Sequence, residues 1–305
     1  MMKRKICILI LSLFVLVLVA CGQKSSQQGK GLKIVTSFYP IYAMVKDVSG
    51  EINDVRMIQS SSGIHSFEPS ANDVAAIYDA DVFVYHSHTL ESWAGDLDPS
   101  LQKSKVKVLE ASEGMKLDRV PGLEDVEAGQ GVDEKTLYDP HTWLDPEKVA
   151  EEVQIIADKL SNVDVKNKDI YQKNAQNIIQ QTRKLTEKYQ PIFEKVSQKT
   201  FVTQHTAFSY LAKRFGLTQL GIAGISPEQE PSPRQLTEIS EFVKTYNVKT
   251  IFVESNASSK VAETLVHSTG AQLKTLNPLE ADPQNELTYL ENLEENLKIL
   301  AEELK

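Results

Sequence analysis

From residue 33 onward, short runs of apolar and β-branched residues alternate with longer stretches in which apolar positions return every three or four residues. The short runs predict strands at 33–37, 54–59, 81–85 and 106–109, and a second set at 200–203, 218–222, 249–253 and 272–276. Helical spacing between the first strands predicts helices at 41–49, 70–78 and 91–103. Among the second set it predicts them at 207–215, 233–246, 258–269 and about 287–303. Ser70 followed by Asp73 reads as a helix N-cap with an acidic first turn. Asp145-Pro146 supplies a cap and a first-position proline for a helix running to about Leu160. Strands alternating with helices in this way predict mainly parallel sheets covered by helices.

Between the two sets, Ile170, Tyr171, Ala175, Ile178, Ile179, Leu185, Tyr189, Ile192, Phe193 and Val196 recur at helical steps. A continuous helix from Asp164 to Val196 would reach roughly 50 Å at 1.5 Å per residue, enough to cross two domains. Pro191, near its end, predicts a kink or a separate turn. The expected architecture is α/β, with an N-terminal (β/α) domain at 32–163, a linking helix at 164–196 and a C-terminal (β/α) domain at 197–305. The stretch 111–139 breaks the rhythm with many acidic and few apolar residues. An irregular segment of that length inside a domain is functional, mobile or a solvated surface loop.

The N-terminus carries a different pattern. Lys3, Arg4 and Lys5 precede an apolar run from Ile6 to Val19, too short for a comfortable membrane span and flanked like a cleaved export signal. It ends Leu18-Val19-Ala20-Cys21, which resembles the lipobox of bacterial lipoproteins. That resemblance implies cleavage after residue 20 and lipidation of the Cys21 sulfur; the alternative is an ordinary secretory peptide with a chance cysteine. Residues 21–31 are low in complexity and polar, a flexible tether. The chain has two cysteines, Cys7 and Cys21, so the mature protein has neither a disulfide framework nor a thiolate metal site. Loss of Lys3, Arg4 and Lys5 with the signal takes the formal net charge from -9 to -12. So acidic a body argues against nucleic-acid binding and against an electrostatic membrane surface, and is compatible with attracting cations.

Histidine is scarce, six in the chain, so its placement carries information. His65 follows the second predicted strand, His205 directly follows the fifth, and His141 lies in Tyr138-Asp-Pro-His-Thr-Trp-Leu-Asp-Pro146. Open α/β sheets bind ligands beyond the carboxyl ends of their strands. Three neutral imidazoles would leave a zinc ion one donor short of a tetrahedron. Glu280 and Asp282, after the last strand, are the candidates for the fourth, and spacing alone does not make the four converge.

The segments around His65, His141 and His205, together with Glu228-Gln-Glu-Pro-Ser-Pro233 and Phe252-Val-Glu-Ser255, resemble the cluster A-I metal-binding proteins of bacterial ABC importers. The nearest resemblance within them is to streptococcal zinc-binding lipoproteins, also called laminin-binding proteins. The resemblance covers the mature chain and implies two (β/α) domains bridged by one rigid helix, with the metal in the interdomain cleft. It also implies Zn2+ as the ligand, since manganese members carry a carboxylate where this chain has His205. Many members have an Asp as fourth ligand. Here Asn277 takes one plausible Asp position, which favours Glu280 and keeps Asp282 as an alternative. Glu228, Glu230 and Glu254 match family motifs and are assigned to structural hydrogen bonding. Zinc members of the family also carry a His-rich loop, whereas 111–139 contains no histidine. His86 and His88 are candidates for recruiting metal near the cleft mouth, against a bland reading as two histidines at a strand end.

The function expected is therefore capture of Zn2+ outside the cell by a monomeric, non-enzymatic lipoprotein. It would be anchored at the cell membrane through Cys21 and deliver zinc to the membrane permease of an ABC importer. The alternatives are a surface adhesin binding laminin as a second role, a manganese receptor, and a zinc hydrolase exploiting an open fourth position.

Overall fold

A computed structural model describes residues 31–58, 63–121, 123–127, 129, 134–255 and 258–305. The signal, the Cys21 lipidation site and the tether up to residue 30 lie outside the described residues. The first half contains β1 (Lys33–Thr36), α1 (Tyr39–Ser49), β2 (Asp54–Met57), α2 (Ala71–Asp79), β3 (Val82–Tyr85), α3 (Ser92–Leu101) and β4 (Lys107–Glu110). Two long helices follow, α4 (Pro146–Val163) and α5 (Lys168–Phe193). The second half contains β5 (Thr200–Thr203), α6 (Ser209–Arg214), β6 (Thr218–Gly221), α7 (Pro233–Thr245), β7 (Thr250–Val253), α8 (Lys260–Thr269), β8 (Gln272–Thr275) and α9 (Tyr289–Glu303).

The strands form two four-stranded sheets, all parallel, in the orders β2-β1-β3-β4 and β6-β5-β7-β8. In each, the first strand of the half sits inside the sheet and the chain crosses over it, the topology that leaves a crevice beyond the strand ends. Central strands are buried on both faces, as parallel sheets covered by helices require. Ile34, Val82 and Val84 point to one face, into a core shared with α1, α4, α5 and α9. Val35, Phe83 and Tyr85 point to the other, against Ile77, Trp93 and Leu101. In the second sheet Phe201 and Phe252 join the shared core, while Val202 and Ile251 pack with Ile239, Val243 and Leu265.

Both sequence-read caps form. Ser70 and Asp73 make a reciprocal capping box at α2. Asp145 accepts from the Glu147 N–H at 3.0 Å at the start of α4, and the same carboxylate takes a two-pronged hydrogen bond from Arg214 at the end of α6, both contacts 2.9 Å.

The long helix is shorter than its apolar periodicity suggests. Val165–Asn167 form a separate 3-10 turn, held because Asp164 accepts from the Asn167 side chain at 2.6 Å and from the Tyr171 hydroxyl at 2.8 Å. The 26 residues of α5 span about 39 Å. Pro191 lies in its last turn and neither kinks it early nor starts a new element. Tyr171, Ala175 and Ile178 bury one end of α5, and Phe193 packs against Phe215 with ring centroids 4.9 Å apart at the other. Each such aromatic contributes about 1.5–3 kcal/mol on burial, so the helix is fixed at both ends. In the acidic segment after β4, Arg119 bridges Tyr138, and Asp118 is tied to α6 by the Tyr210 hydroxyl at 2.7 Å and the Lys213 ammonium at 2.6 Å. Among the described residues no helix is long and apolar enough to cross a membrane.

Candidate metal centre

Four side chains far apart in sequence meet beyond the ends of the two sheets. His65 follows β2, His141 opens the 3-10 turn Thr142–Leu144 ahead of α4, His205 lies two residues past β5, and Glu280 lies five past β8. One donor atom from each lies within 4.8 Å of every other. The His65 and His141 Nε2 atoms are 3.3 Å apart, as are those of His141 and His205. Glu280 Oε1 lies 3.3 Å from His65, 3.1 Å from His205 and 3.8 Å from His141. A tetrahedron with zinc–nitrogen bonds of 2.0–2.1 Å has edges of about 3.3–3.4 Å. His141 and His205 are fully buried, and the side chains of His65 and Glu280 are 7% and 8% exposed.

The imidazoles are aimed by carboxylates behind them. His141 Nδ1 donates to Asp139 Oδ1 at 2.7 Å, and the His141 backbone N–H reaches the same oxygen at 3.0 Å. Asp139 is itself held by the Ser209 hydroxyl and, through its main-chain carbonyl, by the Tyr210 hydroxyl at 2.9 Å. His205 Nδ1 donates to Glu254 Oε1 at 2.5 Å, while the Glu254 N–H donates to Gln204 at 3.0 Å. The turn at His205 packs tightly on β6, where a Cβ on Gly221 would meet Thr206 Oγ1 at 2.3 Å. Committing Nδ1–H to a carboxylate fixes the tautomer, leaves Nε2 for a cation and makes the ring a stronger donor.

Burial, assisted by the neighbouring His65 and His205, pushes the His141 ring down to about 4, so it is neutral and ready to ligate. At His205 burial acts in the same direction but is overcome by the carboxylates of Glu254 and Glu280, which push the ring up to about 10. Burial likewise opposes ionisation of Glu280, yet His205 and His65 hold it well below the usual carboxylate range. The metal-free cluster thus keeps a proton on His205 and a charge on Glu280, and a divalent cation would displace that proton. Three imidazoles and one carboxylate suit a borderline-soft ion, and with all four engaged no position is left open.

The profile described as zinc-uptake complex component A, periplasmic (ZnuA), matches residues 34–303. The chain belongs to this family. It is 40% identical to the zinc-binding lipoprotein AdcA of Streptococcus pneumoniae strain R6 over 305 residues, which is 97% of this chain but 60% of that relative's length. In structure it resembles the Zn(II)-bound E280Q variant of AdcAII from Streptococcus pneumoniae. The two are 81% identical with a TM-score of 0.86, covering 91% of this chain and all of the other. It is also similar to the laminin binding protein Lmb of Streptococcus agalactiae, described as a bifunctional protein with adhesin and metal transporting activity. There the identity is 62% and the TM-score 0.83, over 90% of this chain and all of that one.

Three sequence-read candidates lie elsewhere. His86 is not at a cleft mouth: it is wholly buried, its Nε2 2.8 Å from Thr142 Oγ1 and 3.2 Å from Glu152 Oε1. Strand β3 is buried on both faces, so the residue following it stays inside. His88 is half-exposed and paired with Glu110 at 2.9 Å. Asp282 stands outside the cluster and accepts the Gln284 N–H at 2.9 Å. Glu228 is exposed and accepts from the Ser66 hydroxyl at 3.5 Å, beside His65. Sequence reasoning assigned no role to Asp139, Trp143 or Leu279, and read Asn277 only as standing where many family members have an Asp. Asp139 and Trp143 stand in the motif around His141, and that proximity was the available signal. Leu279 offered none.

Proposed function

We propose that this protein captures Zn2+ outside the cell with His65, His141, His205 and Glu280 and delivers it to the membrane permease of an ABC importer. It would act as a monomer held to the membrane by a lipid on Cys21. The observation that carries this reading is the near-tetrahedral convergence of three Nε2 atoms and one carboxylate oxygen. The nitrogen-rich donor set supports zinc over manganese, which favours oxygen-richer sites of higher coordination. A closed fourth position, together with membership of an uptake-component family, supports a binding protein over a hydrolase. The relatives' description as zinc-binding lipoproteins supports the anchored location.

Metal analysis of the purified full chain tests this. We expect one zinc per wild-type chain and a much lower content in His141→Ala with an unchanged circular dichroism spectrum. Equal zinc content in the two proteins would refute the site. Laminin binding is a second reading, favoured by the likeness to the adhesin Lmb. It is checked by retention on immobilised laminin, with and without zinc.

A further inference from the structure

Glu280 stands in no helix or strand, so something else must fix its carboxylate. The residue before it, Leu279, is wholly buried and has φ +57°, a left-handed conformation that side chains with a Cβ avoid. Such a conformation persists where the surroundings over-determine it. Four anchors do so here. The Leu276 N–H donates to the Val253 carbonyl at 3.0 Å, extending the line of β8. Asn296 on α9 grips the backbone of Asn277 on both sides, accepting its N–H at 3.0 Å and donating to its carbonyl at 2.6 Å. The Asn277 side chain then accepts the Leu279 N–H at 2.8 Å. Finally Trp143 Nε1 donates to the Pro278 carbonyl at 2.9 Å.

Trp143 is the link to the rest of the centre. It is fully buried two residues past His141, its ring centroid 5.0 Å from that imidazole, and its own carbonyl accepts from the Tyr289 hydroxyl. The same indole thus supports one ligand from beside and holds the backbone that carries another.

We propose that Asn277 and Trp143 are positioning residues for Glu280, holding Leu279 in its left-handed conformation so that the carboxylate closes the zinc site. This rests on the four-ligand reading above. Without the clamp, Leu279 would relax toward ordinary backbone angles and swing Glu280 away from His65 and His205. Asn277→Ala should then weaken zinc binding by about 10–100-fold, as loss of an outer support does. Asn277→Asp, which keeps an acceptor for the Leu279 N–H, should restore it.

The deciding experiment is a double-mutant cycle on the full chain by zinc titration, with cobalt(II) as a spectroscopic probe. If Asn277 acts through Glu280, Asn277→Ala costs nothing further in a Glu280→Ala background. The tetrahedral cobalt bands of the wild type should weaken in Asn277→Ala as in Glu280→Ala. Trp143→Phe, which keeps a ring but loses the N–H, should repeat the pattern and serves if Asn277→Ala does not fold. Equal losses in both backgrounds, or unchanged cobalt bands, would overturn the assignment. His141→Ala distinguishes the failures: if it too binds zinc normally, the metal site itself is wrong; if it alone loses zinc, the positioning proposal falls.

Discussion

Two buried clusters of histidine and carboxylate flank Trp143, with the rings of His141 and His86 centred 5.0 and 5.2 Å from the indole. Their compositions are alike and their geometries are not. Around His86 each short contact pairs a donor with an acceptor. The Thr142 hydroxyl donates to Glu152, the imidazole Nε2–H donates to Thr142 Oγ1, and Glu91 accepts the His86 and Ser87 N–H groups at 2.8 and 2.9 Å. Around His141 the ligand atoms converge on one point instead. With Nδ1–H given to Asp139, His141 Nε2 has only a lone pair, and it faces two more Nε2 atoms and a carboxylate oxygen. Without metal the convergence is closed by the proton that Glu254 and Glu280 keep on His205, and a divalent cation would take its place. Convergence of four ligand atoms on one point separates a binding site from a structural network; buried histidine and acid alone do not.

The sharpest way to break this contrast is to truncate one histidine from each cluster. His205→Ala should lower zinc affinity by more than about a hundredfold, beyond the 10–100-fold typical of outer-shell changes. His86→Ala should leave one zinc bound per chain yet destabilise the fold by about 3–5 kcal/mol, because it removes the buried ion-pair partner of Glu152. Calorimetric zinc titration and urea unfolding of both variants decide it. A His86→Ala protein that folds normally but loses zinc would erase the distinction.

A smaller effect separates the ligands from the acids behind them. Asp139→Asn removes the charge that fixes the His141 tautomer while keeping the side chain's shape. Zinc affinity should fall by about 10–100-fold with stoichiometry still one. Measured affinities within error of wild type would mean that Asp139 only props the turn.

The same contrast explains what the sequence could and could not disclose. The elements were readable because each is local: β3 is an unbroken apolar run, α2 announces itself with Ser70 and Asp73, and α4 with Asp145-Pro146. The three site histidines stood out through scarcity, His65 and His205 also by following strands and His141 by the motif around it. Convergence was not local, since His65 and Glu280 are 215 residues apart and their meeting depends on how two sheets are held. His86 also follows a strand and looked equally exposed, because nothing in Tyr85-His86-Ser87 reveals Glu152 from α4 beside it. The left-handed Leu279 was hidden because leucine seldom adopts that conformation, and the asparagines that enforce it lie 19 residues apart.

The mildest test concerns protons. In the metal-free centre Glu254 and Glu280 push the His205 ring up to about 10, against the opposing effect of burial, so at neutral pH it carries a proton that zinc must replace. His141, pushed down to about 4, has none to release. Binding near pH 7.5 should therefore liberate one proton from His205, and between about pH 7 and 9 apparent affinity should rise about tenfold per unit. The sign follows from the raised value: below about 10 the competing proton is present, and its hold weakens as pH climbs toward that point. The His86 cluster takes no part, since zinc does not touch it. Zinc titrations in two buffers of different ionisation heat count the protons directly. Glu254→Gln should shrink the release, because one of the two charges raising His205 is gone. A wild-type release of zero would mean that His205 is already neutral before zinc arrives.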